Sequence, residues 1–167
     1  MEERMKRELD NYITGHWGED QVQEHEMRQT WEEMVEEFSR MNGYPPPSEP
    51  AIIGIDPAII ALRLHLMLEE LGELSRAMNE RDIVKFSDSV CDMLYVVIGT
   101  GIAAGIGPIL DELFREVHRS NMTKDPHTMP GHRGAIKGER YEPPDLGPII
   151  DDYADAIKKI NSVVDND

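Results

Sequence analysis

The sequence is short of three things, and each shortage removes a class of function. Only one of its 167 residues is cysteine, Cys91, so neither an intramolecular disulfide nor a cysteine-based zinc site can form. Lying among apolar residues, Cys91 is expected to be a buried structural thiol. Basic side chains are scarce, 17 against 33 acidic ones, for a formal net charge of -16. So acidic a surface repels nucleic acid and anionic membrane, both of which bind through Lys and Arg that neutralise phosphates. Long uncharged runs are also rare. The one candidate span, Met93 to Leu110, is bracketed by Asp92 and Asp111, broken by Pro108, and has no basic flank. Its Gly101 and Gly105 are better suited to close helix–helix approach in a bundle or dimer. No apolar core of the secretory kind follows MEERMKRELD, and the expected location is cytoplasmic.

What is present is enough apolar material, 40% of the chain, to fill the core of one domain. Helical spacing begins near Glu19, with Val22, Met27, Trp31, Met34, Val35 and Phe38 recurring three and four residues apart. Asn42-Gly43 ends that helix, and the proline-rich stretch Tyr44 to Pro50 is an extended connector. Asp56 as N-cap and Pro57 at the first helical position open a long helix to about Asn79. Its apolar residues from Ile59 to Leu74 are expected to face inward. A third helix is predicted from Asp82 to about Ala104, carrying Val90, Met93, Leu94, Val97 and Ile98, and a fourth from Ile109 to Arg119. Residues 121–147 lack periodicity and read as a long functional loop, and a short helix closes the chain from Pro148 to about Val164. The fold class is all-α, a bundle of about four to five helices. Residues 1–167 form one domain, with 1–18 as an N-terminal arm and 121–147 as a loop that closes over substrate.

The most apolar helix contains Glu69-Glu70-Leu71-Gly72-Glu73. Glu69 and Glu73 are four apart, Glu70 and Glu73 three apart, so the three acids share one side of the helix. Each like-charged pair costs a few tenths of a kcal/mol, and no Lys was placed among them. Asp88 and Asp92 repeat the four-residue spacing on the next helix. If the two helices fold back antiparallel across the turn near Asn79 to Asp82, Glu73 meets Asp88 and Glu69 meets Asp92. Five converging carboxylates with almost no neighbouring Lys or Arg call for divalent cations with oxygen ligands, Mg²⁺ or Mn²⁺ rather than zinc. A plain solvated acidic face is the alternative. A carboxylate di-iron site needs Glu-x-x-His pairs, and the sequence has none.

These residues carry a resemblance. Glu69-Glu70-x-x-Glu73, then Asp88-x-x-x-Asp92 running into Leu94-Tyr95-Val96-Val97, resembles the MazG-like all-α NTP pyrophosphohydrolase superfamily. Asp111 to Lys124 and Ile136 to Leu146 are similar to its phosphoribosyl-ATP-pyrophosphohydrolase-like branch, with phage MazZ-type enzymes among the relatives. The resemblance spans about Trp31 to Ile150. Ser89 stands where the superfamily often has Glu, and Asp88 is expected to substitute for it.

The resemblance implies hydrolysis of a ribo- or deoxyribonucleoside triphosphate to monophosphate and pyrophosphate, with two to three Mg²⁺ or Mn²⁺ per site. (d)GTP, dUTP and dCTP are the leading substrates. Glu69, Glu70, Glu73, Asp88 and Asp92 would hold metal, and Glu70 would orient or deprotonate the attacking water. Arg119, Asn121, Lys124, Lys137 and Tyr141 would grip phosphates, and Tyr95 would also contact substrate. Trp17 would offer a base-stacking edge or pack the arm on the bundle. His118 is a weaker candidate, and His127 and His132 are expected at the surface. The resemblance further implies a homodimer or homotetramer with shared sites, in the cytoplasm of a phage-infected host if the gene is viral. Two alternatives stand beside it, a phosphoribosyl-ATP pyrophosphohydrolase and a non-catalytic nucleotide-binding or interaction protein.

Overall fold

The computed structural model describes residues 29–52, 55–126 and 134–164. The chain divides into two compact units, Met1–Thr30 and Trp31–Asp167, and every element below belongs to the second. Helix α1 spans Trp31–Met41, α2 Pro57–Glu80, α3 Ile83–Ala103, α4 Leu110–Met122 and α5 Gly147–Val164. A 3-10 turn, Gly107–Ile109, leads into α4. The fold is all-α, as expected. The one addition is a two-residue antiparallel ladder inside the presumed loop, strand β1 (Asp125–Pro126) on β2 (Ala135–Ile136), pairing Asp125 with Ile136 and Pro126 with Ala135.

The centre of the unit is the α2–α3 hairpin. Asp56 opens α2 by accepting a 2.8 Å hydrogen bond from the Ala58 amide, with Pro57 pre-set in helical φ. Helix α2 ends on Arg81, whose left-handed backbone (φ 56°) turns the chain through nearly a half-circle. Asp82 at once caps α3, its Oδ1 accepting from the amides of Val84 (3.0 Å) and Lys85 (3.2 Å). Two residues thus separate two long helices, and they must run antiparallel and side by side. Helix α1 packs on α3, while α4 and α5 reach the bundle mainly through the 3-10 turn.

The core is smaller than the sequence predicts. Val35, Ala77, Val96, Ile102 and Leu113 are its buried apolar residues, with Ser39, Ser89 and Ser120 buried beside them. Ile60, Leu62, Leu64 and Leu71, expected to face inward, are exposed, as are Trp31, Met34, Phe38, Leu94 and Val97. Helices α2 and α3 are apolar on more than one face, and a single partner helix covers only one. Cys91 is corrected in the same way: it is exposed, because its apolar neighbours form an outward face of α3. That apolar content also gives α3 the length and composition of a membrane span.

Three boundaries shift. Gln29 and Thr30 are not helical, so the first described helix begins at Trp31 instead of running unbroken from Glu19. Thr30 is a favoured capping type, and Glu32 and Glu33 complement the positive helix end. Helix α4 continues to Met122, three residues past the expected end at Arg119, which places Asn121 on the helix instead of after it. Residues 142–146 are not a free loop, being bonded along α4: the Ser120 hydroxyl donates to the Glu142 carbonyl (2.7 Å), and the Glu142 amide donates to Thr123 Oγ1 (2.9 Å).

Candidate active site

The hairpin register brings the two acidic motifs together. Glu73 and Asp88 line one cleft of about 220 Å³ between α2 and α3, with Ala77 and the buried Ser89 at its floor. Glu70 lies one turn further along α2, opposite Asp92. It is half-buried, and its Oε2 is shielded from solvent with no hydrogen-bond partner. Burial first, and then the charges of Asp92, Glu73, Glu69 and Asp88 in that order, push the Glu70 carboxyl above its ordinary pKa. All five predicted carboxylates therefore share one electrostatic neighbourhood with Glu70 at its centre.

Glu69, Glu73, Asp88 and Asp92 are exposed at the rim, and among the described residues no three acidic, His or Cys side chains converge tightly enough to enclose one ion. Like charges facing water spread apart, which accounts for the open arrangement. The neighbourhood is also less purely acidic than the sequence implies. Arg76 bonds Glu73 at 3.1 Å, Lys85 bonds Glu80 at 2.6 Å, and both cations line the Glu73–Asp88 cleft. The set still fits a divalent cation. Its donors are all oxygen, and the sheltered, unbonded Glu70 Oε2 is a costly atom to leave without a partner. Ser89 faces α2 from the position where a Glu was looked for, and Asp88 stands beside it at the same cleft.

Tyr95 lies on α3 one turn beyond Asp92. Its hydroxyl comes within 3.5 Å of the Met34 carbonyl, and its ring meets Phe38 edge-to-face at 5.7 Å. Tyr95 thus helps to seat α1 on α3 and lines a cavity of about 270 Å³ beside it.

The predicted phosphate-binding residues form a second cluster at the end of α4. Lys137 Nζ sits 4.9 Å from the centre of the Tyr141 ring and Lys124 Nζ 6.0 Å from it. Lys124 also donates to Asn121 Oδ1 at 2.7 Å. Arg119 is engaged elsewhere, donating to both Glu116 oxygens (2.8 and 2.9 Å), to Glu142 (2.7 Å) and to the Pro143 carbonyl (3.3 Å). Those bonds raise the Arg119 pKa and, with the Asp145 amide, hold Glu116 at about 2. Arg119 here braces the segment that follows Tyr141. His118 is exposed on α4, while Trp17, His127 and His132 lie outside the described residues. Sequence reasoning passed over Arg63, Arg76 and Lys85. Arg63 carried a signal, a lone cation in the apolar run two turns before Glu70.

Comparison with known proteins bears on the family of the chain. Residues 35–121, which run from within α1 almost to the end of α4 and include all five carboxylates, match the family model for phosphoribosyl-ATP pyrophosphohydrolase. An uncharacterized protein of Acanthamoeba polyphaga mimivirus is 40% identical over 74 residues, 43% of this chain and 30% of that protein's length. The chain thus spans less than a third of its viral relative. With the matched segment covering the helical hairpin and its acidic cluster, the chain belongs to the phosphoribosyl-ATP pyrophosphohydrolase family of the MazG-like all-α NTP pyrophosphohydrolase superfamily.

Proposed function

We propose that the protein hydrolyses a ribo- or deoxyribonucleoside triphosphate to the monophosphate and pyrophosphate in a Mg²⁺- or Mn²⁺-dependent reaction. (d)GTP, dUTP and dCTP are the leading substrates. Family membership supports nucleotide pyrophosphohydrolysis in general terms. The observation that carries the finer reading is the sheltered, unbonded Glu70 Oε2 amid four further carboxylates. Divalent cations held by Glu69, Glu70, Glu73, Asp88 and Asp92 would neutralise phosphate charge and lower the pKa of water.

Glu70 has the properties of the base. A carboxylate that prefers its proton more than usual accepts one from water more readily near neutral pH. Water so oriented attacks the α-phosphorus in line, and pyrophosphate leaves opposite. Asn121, Lys124, Lys137 and Tyr141 offer donors for phosphate oxygens. Because α4 joins the bundle mainly through the 3-10 turn, that cluster suits the site of a second copy. Leu64, Leu68, Leu71, Ile83 and Val84, each more than half exposed, give the hairpin an apolar face for such a homodimer or homotetramer.

The test is product analysis across the eight common NTPs and dNTPs, and phosphoribosyl-ATP, with Mg²⁺ or Mn²⁺. Monophosphate with pyrophosphate is the expected result. Phosphoribosyl-ATP as the sole substrate would favour the second reading, which the description of the matched family supports. Nucleotide binding without turnover would replace both with a nucleotide-binding protein.

A further inference from the structure

Among the described residues, Arg63 is a cation without a counter-ion. It projects from α2 two turns before Glu70, roughly 10.5 Å along the axis and on the same face. Its Nε is buried with no hydrogen-bond partner, and none of its nitrogens makes an ion pair among the described residues. Burial lowers its pKa, and the charged group felt most is the Tyr44 phenol. The opposite helix makes room for it: a Cβ at Gly99 would fall 2.9 Å from Arg63 Nη1, and the guanidinium lies against bare α3 backbone. Gly99 is two turns past Asp92, so Arg63–Gly99 and Glu70–Asp92 lie at matching levels of the hairpin, two turns apart.

Two cavities meet at Arg63. The larger, about 530 Å³, is walled by Ile59, Ile102 and the proline-rich connector, and the smaller, about 270 Å³, runs toward Tyr95. Ser39, Tyr44 and Leu62 line both. The connector wall is held in place by the Ala51 amide, which donates to the Ala104 carbonyl at 3.0 Å. A mostly apolar space of this size, with one guanidinium and an aromatic residue, has the character of a small-molecule subsite. Glu49 and Asp56 at its edge disfavour a phosphate there and leave an uncharged acceptor group as the better occupant.

We propose that Arg63 reads the substrate's nucleobase, selecting bases that present two adjacent hydrogen-bond acceptors on one edge. This rests on the reading of the protein as a nucleotide pyrophosphohydrolase. A guanidinium is a rigid fork of parallel donors and matches two acceptors side by side. Guanine offers O6 and N7, and cytosine offers O2 and N3. Adenine sets its 6-amino donor beside N7, and uracil interposes N3–H between its two carbonyls. With triphosphate at the carboxylates, the base would reach about two helical turns along the hairpin to Arg63.

The test uses free nucleosides, which need no metal and no turnover. Binding of guanosine, cytidine, 7-deazaguanosine, adenosine and uridine is measured by NMR titration against the wild type, Arg63→Gln and Gly99→Ala. The wild type should bind guanosine or cytidine about tenfold or more tightly than adenosine and uridine. A guanine site loses affinity for 7-deazaguanosine, while a cytosine site binds cytidine better than guanosine. Arg63→Gln should level the preference, and Gly99→Ala should weaken it by displacing the guanidinium, each with an unchanged circular dichroism spectrum. Equal binding of all bases, no binding of any, or an Arg63→Gln protein that keeps the preference would overturn the assignment. Pyrophosphate release is followed in parallel: if it is absent while the base preference survives, the hydrolase reading falls and the base-reading one stands.

Discussion

The α2–α3 hairpin carries five clustered carboxylates, of which only Glu73 has a cation within bonding distance. The stretch from α4 to Tyr141 behaves differently, because its cations are answered locally. Arg115 pairs with Asp111, Arg119 with Glu116 and Glu142, Arg140 with Asp125, and Lys124 bonds Asn121. Both regions are solvent-facing, so exposure does not explain the contrast. Exposed pairs contribute little energy each, and they chiefly fix where residues 142–146 lie along the helix. Acids left without partners, one of them sheltered, cost stability for which the chain gains nothing until a ligand arrives. Unanswered charge is therefore the better marker of chemistry in this molecule.

The sharpest way to break the comparison is to remove hairpin acids one at a time. Asp92→Asn or Glu70→Gln should abolish pyrophosphate release while circular dichroism stays unchanged, and full turnover in both variants would refute the site. A smaller effect is expected in the tail. Lys124→Ala should raise KM by about tenfold if the ammonium grips the ground state, and steady-state kinetics would instead show a fall in kcat if it grips the transition state. In stability the order reverses. Without divalent cations Glu70→Gln should melt about 2–4 °C higher than the wild type, because a half-buried acid with an unbonded oxygen amid like charge is neutralised. Calorimetry showing a lower Tm would mean that Glu70 has a partner in solution. The mildest change concerns pH. Glu116 is held at about 2, below its ordinary 4.5, so its stabilising bonds are fully present above about 4.5 and lost as pH falls through about 2. The protection factors of the Glu142, Asp145 and Leu146 amides against hydrogen exchange should fall as pH drops across that window and stay flat from pH 5 to 7.

Much of this was legible in the sequence because the signals were local. Asp56-Pro57 and Asp82 fix helix starts through their own side chains, and four-residue spacing puts Glu69 with Glu73 and Asp88 with Asp92 whatever surrounds them. The meeting of the two motifs also followed, since a two-residue turn leaves one way to fold back. What could not be read was which apolar face is covered. Leu64 and Leu71 have the same chemistry as Ile102, and only the placement of α1, a long-range matter, decides that Ile102 is buried and they are not. The pairing of Arg119 was not legible for a similar reason: its partner Glu142 lies 23 residues away, and no spacing rule reaches so far. Arg63 was overlooked because a lone Arg in an apolar helix usually places its stem on the surface and its head in water.

The turn at Arg81 and Asp82 touches none of the reacting groups, yet it acts as the ruler of the site. One residue inserted there would advance α3 by 100° and 1.5 Å against α2, carrying Asp88 and Asp92 around the helix and away from Glu73 and Glu70. Gly99 would leave Arg63 in the same movement. The carboxylate cluster and the Arg63–Gly99 contact are thus both set by one gauge two residues long, and a length change at that point would part both without altering a single side chain in either.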